Sequence, residues 1–324
     1  MFERVRRAEQ RLAGHALLTP VLPLECLAEN TGGSVVLKCE NLQHTGAFKF
    51  RGAYNALAAL QEAGDAARGV LTYSSGNHGQ ALAMAGRMLG VEVTVVMPTT
   101  VPAVKREATQ ARGAKIVLYD PTTTRREALG TQLAAELGLP IIPPYDHPDV
   151  IAGQATVGLE ILRQPLDVAR ILVCTGGGGL LSGIAIAVAM TESECQVIGV
   201  EPALADDATR SFRSKRLCWV DNPPTIADGT RTPCLGRYTF PIVMNLVHDM
   251  VTVSEQAILQ AMRLLFRDGK LVVEPSGALA TAALIEGAVP PLATDNGVTV
   301  SVISGGNVDP ALYAATLEGR EPSA

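Results

Sequence analysis

The residues best suited to chemistry are Lys49 and the polar or glycine-rich stretches that follow it. Lys49 sits between two phenylalanines, in Phe48-Lys49-Phe50, although the chain has only six. An amine held against apolar neighbours loses hydration, which disfavours its charged form and lowers its pKa. A neutral lysine is a nucleophile able to form a Schiff base with a carbonyl. Taken alone, the stretch reads equally as a surface lysine at a helix start, its stem lying along Phe48. Further on come Ser74-Ser75-Gly76-Asn77-His78-Gly79, Gly176-Gly177-Gly178-Gly179 and Ser304-Gly305-Gly306-Asn307. Each follows an apolar, strand-like run, the place where α/β proteins gather ligand contacts.

Four glycines between a strand and a helix let backbone N–H groups close around an anion, and the helix dipole adds to the attraction. A phosphate is the expected guest, since two glycines would serve a simple turn. A dinucleotide fold would require G-x-G-x-x-G. Counted from Gly177, the third glycine position holds Ser182, so that pattern fails even though Glu201 ends the next strand. No G-x-x-x-x-G-K-[ST] loop occurs either. A small phosphorylated cofactor fits better. The loop from Ser74 to Gly79 offers hydroxyls, an amide and free N–H groups, suited to a carboxylate and a ring oxygen. A serine hydrolase is excluded by the absence of a G-x-S-x-G elbow.

The elements that must position these residues alternate. Strand-like runs at 34–40, 69–73, 92–97, 115–119 and 140–143 are separated by helical stretches. After Pro144 the pattern resumes, with strands at 171–174, 196–200, 250–253, 271–274 and 298–303. Short links between β and α units predict parallel sheets covered by helices. The expected architecture is two open α/β lobes with a cleft between them. A large lobe would comprise 1–60 and 148–324, and an inserted small one 61–147.

The chain has 324 residues, 47% hydrophobic and 18% charged, with a net charge of -5. That fits a well-filled globular protein and gives no basic block for nucleic acid. Residues 171–190 carry no charge and have the length of a membrane span, but four glycines inside the run argue for strand, loop and buried helix. No membrane association is expected. The amino terminus lacks the apolar core of a signal peptide. The six cysteines include no C-x-x-C pair, so free, buried thiols in a reducing cytoplasm are expected.

The lysine in A-F-K-F-R-G, the later S-S-G-N-H, the tetraglycine and the terminal S-G-G-N together resemble the fold-type-II pyridoxal-phosphate enzymes, whose architecture is like the tryptophan synthase β subunit. Within them the chain is most similar to the serine racemase, serine/threonine dehydratase and threo-3-hydroxyaspartate ammonia-lyase family, from about Arg11 to Asp309. The resemblance implies that Lys49 carries pyridoxal phosphate, with Phe48 and Gly229 on either side of the ring. It places Gly176, Gly177, Gly178 and Gly179 on the phosphate, Asn77 on the 3-oxygen and Ser304 on the pyridine nitrogen. Ser74, Ser75, Asn77 and His78 would line the substrate carboxylate site.

Ser75 would face Lys49 across the cofactor as a second acid/base, which allows racemisation. Glu201, the Ala205 carbonyl and Asp207 would hold a divalent cation, Mg²⁺, Ca²⁺ or Mn²⁺. Arg126 falls near a substrate-facing arginine of racemases and could hold a β-carboxylate. The implied activity is α,β-elimination from serine, threonine or threo-3-hydroxyaspartate, with racemisation as the alternative, in a cytoplasmic homodimer. A β-replacement synthase is a more distant alternative, since such enzymes usually carry an N-K-D-R type of lysine motif. An allosteric threonine deaminase would need a further carboxyl-terminal domain.

Overall fold

The computed structural model describes residues 1–320 apart from Ser75, Pro102 and 294–296, and all their side chains except those of Asn30, Val104 and Lys105. The β-branched runs form the strands β1 (Val21–Pro23), β2 (Ser34–Cys39), β3 (Val70–Tyr73), β4 (Val93–Pro98), β5 (Lys115–Tyr119), β6 (Val168–Cys174), β7 (Gln196–Pro202), β8 (Asp249–Val253) and β9 (Val298–Ile303). They make a six-stranded sheet in the order β1-β2-β9-β6-β7-β8 and a three-stranded sheet in the order β3-β4-β5. Every pairing is parallel except that of β1 with β2. The protein is therefore an α/β fold built on parallel sheets. Parallel sheets need cover on both faces, and β9 is buried along its whole length.

Helices supply that cover. In chain order they are α1 (Phe2–Leu12), α2 (Ala28–Thr31), α3 (Lys49–Ala63), α4 (Asn77–Leu89), α5 (Ala103–Gln110), α6 (Arg126–Leu137) and α7 (Pro148–Leu162), then α8 (Gly179–Met190), α9 (Asp207–Ser214), α10 (Thr239–Leu246), α11 (Glu255–Arg267), α12 (Pro275–Ile285) and α13 (Pro310–Leu317). The uncharged run 171–190 divides into the end of β6, the glycine turn and α8, whose residues from Gly179 to Val188 are all buried. Among the described residues no helix is long and apolar enough to cross a membrane.

Two expected strands do not form. At 140–143 only an isolated bridge joins Leu71 to Ile141. Prolines at 140, 143 and 144 remove the N–H groups that a longer ladder would need. At 271–274 the backbone bonds instead to loops and a side chain. Glu274 N donates to Gly305 O at 3.1 Å, and the Val272 carbonyl accepts from Asn41 Nδ2 at 3.2 Å. Glu274 is thereby delivered to the end of the sheet, just before α12.

The helix that carries Lys49 is placed by close backbone approach. On α3, a Cβ at Gly52 would come within 2.8 Å of the Val150 carbonyl on α7. A Cβ at Gly153 of α7 would lie 2.5 Å from Arg51 O and 2.7 Å from Gly52 Cα. At Gly52 the Gln154 side chain is nearer still, at 2.3 Å, whereas at Gly153 the opposing atoms are all backbone, so neither helix can yield locally. Gly153→Ala should therefore destabilise the fold by about 1–3 kcal/mol through overpacking, read as a lowered midpoint of thermal unfolding. An unchanged midpoint would show that this contact does not set the spacing of α3.

Candidate active site

Four chain segments meet at one cavity of about 510 Å³. Three leave the carboxyl ends of strands: Ser74 to His78 after β3, the glycines after β6, and Ser304 to Asn307 after β9. The fourth is the turn into α3. Phe48, Lys49, Ser74, Asn77, His78, all four glycines, Gly229, Ser304 and Arg126 line this cavity. The structure thus brings together residues as far apart in sequence as Phe48 and Asn307. Ser75 lies outside the described residues.

Lys49 Nζ donates to the Pro144 carbonyl at 2.8 Å and lies 5.0 Å from the centre of the Phe48 ring. Burial lowers its pKa to about 8, against weaker opposing pulls from Cys174 and Glu274. The two phenylalanines do not share this work. Phe50 is fully buried and packs on His44 and Tyr54, with ring centres 4.7 Å and 5.5 Å away. Helical spacing turns adjacent residues to different sides, so Phe48 alone of the pair meets the amine.

Each glycine of the loop has its own steric reason. Gly178 has φ +83°, where only glycine is unstrained. Cβ atoms on Gly177 and Gly179 would meet Tyr145 at 2.4 Å and 3.0 Å, and one on Gly176 would lie 3.0 Å from Thr230 Cα. The turn is therefore tighter than anion binding alone would demand. It still suits a phosphate, because α8 begins there with its first N–H groups free of intrahelical partners. Beside it, the buried Thr232 hydroxyl has no hydrogen-bond partner and lies 3.3 Å from where a Gly176 Cβ would be. A phosphorylated cofactor would satisfy both.

The remaining groups are mostly neutral. His78 Nε2 contacts the Ile142 carbonyl at 3.0 Å, which requires the proton on that nitrogen. Burial, with Lys49 nearby, lowers its pKa to about 3. All six cysteines are free, although Cys26 is exposed and Cys218 half-buried where buried thiols were expected. Cys174 ends β6 in the cavity wall within hydrogen-bond reach of Ser304, and burial raises its thiol to about 11. Arg126, at the start of α6, pairs through Nε with Glu127 at 2.6 Å.

The acidic loop is a separate place, away from the cavity lining. Glu201 and Asp207 are buried, and neither carboxylate oxygen of Asp207 has a hydrogen-bond partner. Glu201 caps the first amides of α9, accepting from Ala208 N at 3.1 Å and Thr209 N at 2.6 Å. Burial lifts Glu201 to about 8, with Asp207 adding, and lifts Asp207 to about 7. Two buried acids, with both oxygens of Asp207 lacking a hydrogen-bond partner, fit an oxygen-ligated cation.

Several lining residues escape the sequence reading. Tyr145 lies over the glycines, and Asp146 fixes its loop by accepting from Arg237 N and Tyr238 N at 2.8 Å and 2.7 Å. Glu274 is a single acid closing an apolar run, a signal that was available. Asn307 belongs to a noted motif, but nothing in its spacing says what it touches. Thr232 carries no local signal.

The family model described as "Pyridoxal-phosphate dependent enzyme" matches residues 12–305. An L-threo-3-hydroxyaspartate ammonia-lyase of Pseudomonas sp is 45% identical over 98% of both chains. A serine racemase of Schizosaccharomyces pombe is 42% identical over 98% of this chain and 97% of its own. The structure of maize serine racemase superposes with a TM-score of 0.90 at 34% identity, covering 98% of this chain and 97% of the other.

The amine makes a direct prediction. Only neutral Lys49 can attack a carbonyl, and with a pKa of about 8 its neutral fraction grows roughly tenfold from pH 7 to pH 9. The rate at which cofactor-free protein takes up pyridoxal phosphate should rise by that factor and level off above. A rate independent of pH over this range would contradict the lowered pKa.

Proposed function

The chain belongs to the pyridoxal-phosphate dependent enzymes, and within that family we propose that it is an ammonia-lyase for β-hydroxy amino acids, with L-threo-3-hydroxyaspartate as preferred substrate and serine and threonine as lesser ones. The observation that carries this reading is Arg126 lining the same cavity as Lys49. Its Nε is taken by Glu127, and among the described residues its terminal nitrogens have no protein partner. They suit a second carboxylate in two bonds. The identity to a lyase named for that substrate agrees with this.

Bound pyridoxal phosphate supplies the electron sink for the α-carbon, and the protein supplies geometry and proton transfer. Lys49 would hold the cofactor through its amine, and its Nζ, when free, would take the α-proton of the substrate. Phe48 and Gly229 would flank the ring. The four glycines and the Thr232 hydroxyl would hold the phosphate. Ser304 would offer a neutral hydroxyl to the pyridine nitrogen, a partner that favours elimination over transamination. Asn77 would give its side-chain amide to the 3-oxygen, and Ser74, Ser75 and the backbone N–H groups of Asn77 and His78 at the start of α4 would hold the α-carboxylate. The α-proton and the β-hydroxyl together would make the water that leaves, and one water consumed in hydrolysis would give the 2-oxo acid and ammonia.

Racemisation is the second reading, favoured by the 42% identity to a serine racemase. Ser75 would give and take the proton on the face opposite Lys49. A homodimer in the cytoplasm completes the proposal. So does a divalent cation held by Glu201, Asp207 and the Ala205 carbonyl, where hard oxygen donors suit Mg²⁺, Ca²⁺ or Mn²⁺.

A substrate panel on holoprotein tests the specificity. L-threo-3-hydroxyaspartate should yield oxaloacetate faster than L-serine yields pyruvate. Arg126→Gln should lower kcat/KM for hydroxyaspartate by about 10²-fold, the scale of one buried charged contact, while sparing serine. Equal losses on both substrates would remove Arg126 from recognition, and D-serine formed from L-serine would favour the racemase.

The acid pair tests the cation. Both carboxyls are raised above their unfolded values, so without metal the folded state holds more protons than the unfolded one. Stability then falls as pH rises towards about 8. A cation offsets that fall. Chelation should therefore lower the thermal midpoint more at pH 8.5 than at pH 6, with recovery on adding Mg²⁺, Ca²⁺ or Mn²⁺. A chelator effect that does not grow with pH would argue against this site.

A further inference from the structure

The side chain of Asn307 joins three of the segments that line the cavity and determines how another amide is turned. Thr45, four residues before Lys49, has φ +60°, a left-handed conformation uncommon for threonine. Its carbonyl accepts from Asn307 Nδ2 at 2.7 Å. A carbonyl can only accept, so the Asn307 amide has one permitted orientation, with its NH₂ towards Thr45. The same nitrogen donates to Asn77 Oδ1 at 2.9 Å. Asn77 must then give its oxygen to Asn307 and turn its own NH₂ elsewhere. One of those hydrogens goes to Glu274 Oε1 at 2.7 Å. The other is left for a ligand, in the cavity that Asn77, Glu274 and Asn307 all line.

The surrounding glycines fit this arrangement closely. A Cβ on Gly46 would lie 2.6 Å from Asn307 Oδ1, and one on Gly305 would lie 2.2 Å from Glu274 Oε1. Gly306 N also donates to Gly46 O at 2.9 Å, tying the lysine turn to the segment after β9. Amide and carboxylate are thus seated in slots that a side chain at either glycine would fill.

We infer that Asn307, together with Glu274, is a positioning residue that locks the Asn77 amide as a hydrogen-bond donor towards the 3-oxygen of the cofactor. This rests on the reading of Asn77 as the contact to that oxygen. Turned the other way, Asn77 would set a carbonyl against an oxygen that carries negative charge. A donor at this place stabilises the anionic oxygen. It thereby lowers the pH at which the linkage between Lys49 and the cofactor is protonated.

The test is a pH titration of the visible absorbance of the holoprotein, with the rate of cofactor loss on dilution as a second readout. Asn307→Asp keeps the size but has no N–H donor, and once ionised it can only accept. It should raise the absorbance midpoint by about one pH unit and speed cofactor loss about tenfold, the scale of one hydrogen bond to a charged group. The Asn77→Ala/Asn307→Asp double variant should be no worse than Asn77→Ala alone. Additive shifts would overturn the lock, because Asn307 would then act other than through Asn77. If Asn77→Ala itself leaves the midpoint in place, the ring-oxygen assignment falls, and the lock with it. Should Asn307→Asp not fold, Asn307→Ser keeps one donor and should shift the midpoint less, in the same direction; no shift at all would overturn the inference.

Discussion

The position of the reactive amine depends on a buried arginine two residues away. Arg51 is 1% exposed and bonds to Glu40 through Nε and Nη2, each at 2.8 Å. Its Nη1 and Nη2 reach Glu160 of α7 at 2.6 Å and 2.9 Å. Lys38 of β2 joins at 2.6 Å from Glu160, and Thr19 closes on Glu40 at 2.5 Å. Two cations and two anions sum to zero inside the protein. Burial pushes Glu40 upwards, but Arg51, Lys38 and Thr19 outweigh it and hold the carboxyl below its usual range. A lone charge here would be very costly, so the members must stay together. Strand β2, the segment after it, α3 and α7 are therefore fixed relative to one another, and Lys49 with them.

Around that fixed helix start the cavity is assembled from strand ends. Parallel pairing brings the carboxyl ends of β6 and β9 to one side of the six-stranded sheet, and the end of β3, in the other sheet, lines the same cavity. The irregular run before α12 adds Glu274, and the loop at 144–147 adds Tyr145 and the carbonyl that holds Lys49. The electrostatic design is sparing. His78 stays neutral and Cys174 keeps its proton. Arg126 stands at the rim with an internal acid partner on one edge only. A lysine poised near neutrality and an arginine available to a second carboxylate are what a lyase for an acidic β-hydroxy amino acid would use.

The alternation of apolar runs and helical stretches was enough to read an α/β fold with parallel sheets, because buried parallel strands must be continuously apolar. The reading failed at 140–143 and 271–274 for a local reason. Composition there is strand-like, but prolines and competing partners leave no free ladder to join. The reactive stretches were legible because each carries an unusual local pattern: a lysine beside Phe48, a polar loop, four glycines, a serine before two glycines. Phe50 misled, since neighbours in sequence do not stay neighbours on a helix.

Sequence alone determined which residues could do chemistry, and the order of motifs was specific enough to point to the family. It could not say what those residues touch. That Arg51 is the anchor of α3, that Tyr145 occupies the space above Gly177 and Gly179, and that Asn307 reaches Thr45 and Asn77 depend on contacts between residues from 11 to 262 positions apart. Hydrogen-bond polarity and van der Waals exclusion act through space, and only the packed chain sets those distances. Residue type supplied the donors and acceptors; tertiary structure decided which of them face one another.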